Sequence, residues 1–215
     1  MEAPVLSERP TDGDHRCDGV MARLLVETHD LQRGVECELD LLGARTSWLD
    51  YRLYLFRMYG FHVPIERALD ATPQLASVVP DAALRNNKVA LLAHDLVALG
   101  VARRDLAQLP RMPVPALALG EALGWMYVLE ATTLRSKALC AHLSKVLPHE
   151  ISTASAYLGC YGHDVEKRWS ELGTRLESFS ATDVADQIAT GAVDCLTRLH
   201  RWLKPANLRQ PRVHA

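Results

Sequence analysis

The chain has 215 residues, of which 48% are apolar and 23% charged, with a formal net charge of -2. This length holds one domain with a full hydrophobic core, and the balance of apolar and charged residues excludes a disordered chain. A charge so close to neutral gives no reason to expect nucleic acid or an acidic membrane as a general partner.

Residues 1–17, which begin MEAPVLSERPTDGDHR, are polar, carry Pro and Gly, lack the apolar stretch of a signal peptide, and are expected to form a flexible N-terminal segment. Hydrophobic spacing then predicts helix almost everywhere from 18 to 204, and no two-residue alternation lasts the length of a strand. Over 19–42 the apolar residues Val20, Leu24, Leu31, Val35, Leu39 and Leu42 recur at helical intervals, with Gly43 as a stop. A second helix starts at Ser47 and carries Trp48, Tyr51, Leu55, Met58 and Tyr59 on one face. Pro64 is expected to bend or restart it, with His62 at the bend.

A third helix is predicted over 80–99, opened by Pro80-Asp81 and halted by Gly100. The proline-rich loop QLPRMPVPA follows, and 116–146 carries the longest helical pattern, closed by Pro148. Further helices are predicted near 149–161, 163–179 and 182–203, and 205–215 reads as a loose tail. The expectation is a single all-α domain of seven or eight helices. The five cysteines, Cys17, Cys37, Cys140, Cys160 and Cys195, form no C-x-x-C pair, so neither a disulfide framework nor a zinc knuckle is indicated, and a reducing cytoplasm is the simplest location. No apolar run is long enough to span a bilayer.

Four stretches carry more than architecture. YRLYLFRMYGFHVPIERAL, ALGWMYVLEATTLRSKALCAHL, SAYLGCYGHDVEKRW and IATGAVDCLTRLHRWL resemble, in order and approximate spacing, segments of bacterial heme oxygenases, including those that accompany bacteriophytochromes. The resemblance extends over nearly the whole chain and is most specific at Tyr127-Val128-Leu129-Glu130, which opens the distal heme helix of that family. It implies a heme-oxygenase-like helical bundle that grips heme between a proximal helix, supplying a histidine to iron, and a distal helix whose glycines let the main chain approach the porphyrin.

This chain departs from the family pattern on both faces. The proximal segment Thr-x-x-x-His-x-x-x-Glu corresponds to Thr28, Gln32 and Glu36, so an amide stands at the proximal-ligand position. His29 is a candidate heme-contacting or iron-ligating residue, yet it lies about 60° around the helix and about 4.5 Å along it from Gln32. The distal Glu-Gly-Ser-Thr-Leu-Gly-Gly corresponds to Glu130-Ala131-Thr132-Thr133-Leu134-Arg135-Ser136. Thr132 is placed with Gln32 as a candidate catalytic position. Tyr127, Ala131, Thr133, Arg135 and Ser136 are candidate cofactor contacts, Arg135 by occupying the porphyrin volume or by pairing with a propionate.

Read without the resemblance, His29 is more often a surface histidine than a ligand, and Tyr127 more often core packing. His94 and Asp95 are expected to be structural. Glu-x-x-His pairs, glycine-rich phosphate loops and Gly-x-Ser-x-Gly elbows are absent. The leading expectation is a non-catalytic or impaired relative that binds heme, biliverdin, another tetrapyrrole or a protein partner. The alternative is an active heme oxygenase opening heme to biliverdin, iron and carbon monoxide with the help of an electron donor. A different reaction in the same cavity is a third reading, without a residue pattern of its own.

Overall fold

The structure is a computed structural model, and it describes residues 19–39, 41–43 and 45–204. The segments 1–17 and 205–215, expected to be flexible, lie outside the described residues. Nine α-helices occur among the described residues, with no strand: α1 Val20–Leu39, α2 Trp48–Asp70, α3 Leu75–Val78, α4 Ala82–Arg85, α5 Lys88–Ala98, α6 Leu119–Val146, α7 Pro148–Thr153, α8 Val165–Glu177 and α9 Val184–Leu203. The chain is a single helical domain.

The centre is built on α6 and α9, which approach so closely that side chains are excluded between them. A Cβ on Gly124 would lie 2.1 Å from the Ile188 carbonyl oxygen, and one on Gly191 would lie 2.6 Å from the Glu121 carbonyl oxygen. Glycines at these crossings let the two backbones touch. α1 also packs against α9, and α5 lies along α2. The N-terminus of α1 is capped from α8: Glu177 accepts the backbone N–H of Val20 at 3.1 Å and of Met21 at 2.9 Å, placing a carboxylate at the positive end of the helix.

The start of α2 is fixed by a reciprocal cap in which Ser47 accepts from the Asp50 amide at 3.3 Å while Asp50 accepts from the Ser47 amide at 2.9 Å. Pro64 does not restart this helix, which continues through it. The carbonyl that proline leaves without a donor is that of Gly60, and the Met112 amide of the proline-rich loop donates to it at 3.0 Å. The predicted third helix is instead two, α4 and α5. Asn86 interrupts it, turning its side-chain amide to Asp70 at 3.0 Å. The segment predicted to be helical over 149–161 stops at Thr153, because the amides of Ala156 and Tyr157 donate to the buried Asp95 carboxylate at 2.9 and 2.8 Å. Asp95 is therefore a structural anchor.

Candidate functional site

The backbones of α1 and α6 both bear on α9 but stay apart from one another along much of their length, and a cleft of about 310 Å³ lies between them. Val35, Glu36 and Leu39 of α1 form one wall. Thr132, Arg135, Ser136, Ala138 and Leu139 of α6 form the other, while Leu41 and Leu42 of the turn after α1 and Tyr54 of α2 complete the lining. The four-residue spacing of Val35 and Leu39, and of Arg135 and Leu139, turns successive side chains onto one helical face.

The cleft is apolar for a local reason. Thr132 donates its hydroxyl to the Val128 carbonyl at 2.9 Å, and Ser136 donates to that of Thr132 at 3.1 Å, so both hydroxyls are satisfied within their own helix. Glu36 and Arg135 are the charged residues of the lining.

These two belong to a polar clasp across the helices. Thr28, Gln32 and Glu36 are spaced by four along α1 and share a face. Thr28 donates to the Leu24 carbonyl at 2.7 Å and accepts from Gln32 Nε2 at 2.8 Å. Gln32 Oε1 then accepts a hydrogen bond from Arg135 Nη2. Arg135 Nη1 pairs with Glu36 Oε1 at 2.9 Å. Gln32 is 8% exposed and Thr28 fully buried, whereas the side chains of Arg135 and Glu36 are about half exposed, at 47% and 53%. The amide of Gln32 is thus engaged at both ends, and the guanidinium spans the gap between α1 and α6.

Of the residues singled out from sequence, Gln32 and Arg135 are brought into direct contact, and Thr132 and Ser136 line the cleft beside them. Ala131 is buried on α6 one turn before Arg135. Thr133 is buried about 160° around the helix from Arg135 and donates to the Leu129 carbonyl at 2.9 Å. Tyr127 packs its ring 5.3 Å from that of Trp169 on α8, and its buried hydroxyl has no hydrogen-bond partner. His29 has a 62% exposed side chain with Nδ1 3.0 Å from Asp30 Oδ1, and does not line the cleft. Among the described residues no histidine does. His142, further along α6, has Nε2 3.4 Å from the Gly43 carbonyl, and His200 of α9 lies 3.6 Å from Glu38.

Two groups of residues were not anticipated. Tyr54 reaches the cleft from α2, and its ring lies 6.2 Å from that of Tyr157, whose hydroxyl is 3.0 Å from His62 Nε2. Burial raises the Tyr54 hydroxyl above the ordinary phenol range and, helped by the Lys88 charge, holds His62 well below the usual imidazole value. The helical interval from Tyr51 to Tyr54 was the available signal. His62 accordingly sits buried within a continuous helix.

The second group is a buried charge network. Glu130 receives Arg85 Nη1 at 3.0 Å, Lys88 Nζ at 3.1 Å and the Tyr161 hydroxyl at 2.9 Å. Tyr161 is held at φ 68, a left-handed conformation uncommon for a bulky residue, with Arg168 stacked 4.3 Å from its ring. The network ties α4, α5 and α6 to the segment before α8. Among the described residues no group of three or more His, Cys, Asp or Glu side chains is arranged to hold a metal ion, and no helix is long and apolar enough to cross a membrane.

No protein-family model matches the sequence, and no curated protein sequence matches it. Among solved structures, the chain is similar to the NO- and CO-bound heme oxygenase from Neisseria meningitidis, with a TM-score of 0.72 and 19% sequence identity over 86% of this chain and 90% of that one. A likeness of that extent and identity is one of fold. The order of helices read from sequence, the pairing of α1 with α6 across a cleft, and this structural match converge on a chain with the fold of a bacterial heme oxygenase.

Proposed function

We propose that this chain uses the heme-oxygenase fold to bind a tetrapyrrole without iron chemistry, a linear, metal-free molecule of the biliverdin class being the best fit, and that it does not cleave heme. The observation that carries this reading is the state of Gln32. An amide oxygen is a weak, neutral ligand beside imidazole, and this one already accepts a hydrogen bond from Arg135. Placing iron on the remaining lone pair would set a second cation beside the Arg135 guanidinium.

The residues present therefore do not suit an iron-ligated heme. His29 faces solvent, and His142 and His200 lie against Gly43 and Glu38. Without an axial imidazole the usual electronic control of the iron is missing. A metal-free tetrapyrrole needs none of this. It requires an apolar slot, which Val35, Leu39, Leu41 and Leu139 supply, and a cation for its acid groups, which Arg135 supplies. The unpaired Cys37, Cys140, Cys160 and Cys195 agree with a reducing cytoplasm as the site of action.

Titration of the purified chain with biliverdin and, separately, with hemin tests the reading by visible absorbance. The expected result is a saturable biliverdin shift at one equivalent, and hemin spectra without the band of an imidazole-ligated iron. Stoichiometric hemin binding with an imidazole-type spectrum would overturn it.

A further inference from the structure

Arg135 is held differently along its two edges. Nη2 is bonded to Gln32, itself buried and fixed by Thr28, so the plane of the guanidinium is set from the inner side. Nη1 meets Glu36, a half-exposed acid that lines the same cleft. An ion pair that exposed contributes little and is readily exchanged. The inner hydrogen bonds are sheltered and are not.

We infer that Glu36 is a place-holder, and that the Nη1 edge of Arg135 is the contact by which the cleft recognises a carboxylate on an otherwise apolar ligand. The inference rests on the reading above that the cleft takes a small molecule, and it adds the chemical group by which that molecule is selected. The ligand's acid replaces Glu36 on Arg135 while its apolar body lies against Val35, Leu39 and Leu139. The flat fork of arginine suits this task, because it can keep Gln32 on one nitrogen and present another to a carboxylate in a fixed direction. Lysine would offer a point charge with no such orientation. Ligand entry also cuts the link between Arg135 and Glu36, so binding loosens one of the two ties that hold α1 to α6 at this point while the Gln32 tie remains. The same chemistry is offered by a linear tetrapyrrole propionate and by a fatty acid.

Calorimetric titration of the full chain with biliverdin, biliverdin dimethyl ester, laurate and dodecanol separates the cases. In the unaltered protein biliverdin binds about tenfold more tightly than its ester, the difference that one charge-assisted hydrogen bond supplies. Glu36→Gln tightens the acid by up to about fivefold, by removing the competitor, and leaves the ester unchanged. Arg135→Met removes the acid preference. Arg135→Lys, which keeps the charge but not the fork, retains part of it, and thermal melting verifies that both variants are folded. Equal binding of acid and ester, or an acid preference that survives in Arg135→Met, overturns the carboxylate contact and leaves tetrapyrrole binding standing. Preference for laurate over dodecanol with no response to biliverdin keeps the contact and overturns the tetrapyrrole reading. Silence of all four probes overturns both.

Discussion

Glu130 is a buried acid that holds two buried cations. It lies in Tyr127-Val128-Leu129-Glu130, the stretch that most specifically resembles heme oxygenases, and its carboxylate meets the buried Arg85 and Lys88. Removing one partner from a buried ionic group leaves the others desolvated and unpaired, which costs about 3–5 kcal/mol. Glu130→Gln keeps the volume and removes the charge, so urea denaturation should report a loss in that range. A loss below about 1 kcal/mol would mean that water reaches Arg85 and Lys88 in the folded chain. The same limit applies across the site. Gln32 and Arg135 were legible as residues standing where histidine and glycine were expected. Their contact with one another was not, because nothing local to either segment specifies which residue 103 positions away lies opposite.

At the scale of the elements, periodicity located the long helices and failed where long-range groups decide the outcome. The stripes of Val20, Leu24 and Val35, and the long pattern ending at Val146, became α1 and α6. The restart expected at Pro64 does not occur, and the donor that replaces its missing hydrogen bond comes from Met112, far along the chain. The end of α7 misled because Asp95 of α5 takes the amides that would have continued it. The crossing of α6 and α9 is the element-level feature with the clearest energetic consequence. A methyl on Gly191 would meet the backbone of Glu121, which cannot swing aside as a side chain can. Gly191→Ala should therefore destabilise the chain by about 1–3 kcal/mol, seen as a lower midpoint in chemical denaturation at unchanged slope. An unchanged midpoint would show that the two helices have room to separate.

For the whole molecule, the all-helical architecture and the similarity to heme oxygenases were readable from order and spacing, and the fold agrees. The residues of the site were partly readable. Thr132, Arg135 and Ser136 line the cleft and Gln32 joins it through the clasp, whereas Tyr127 and Thr133 lie on other faces of α6 and His29 on the surface. Tyr54 and Glu36 became visible as cleft residues only when α2 and the far end of α1 were placed beside α6. The cleft joins apolar walls, one oriented cation and an amide already engaged, the features on which the proposed binding of an acid without iron rests.

The central claim is the absence of heme turnover, and the most direct measurement is a single-turnover assay: chain and hemin mixed under air, supplied with ascorbate or a reductase system, and followed for biliverdin absorbance and carbon monoxide. The account predicts no protein-dependent formation of either product above a hemin-only control. Stoichiometric release of carbon monoxide together with biliverdin, abolished when the chain is omitted, would contradict it.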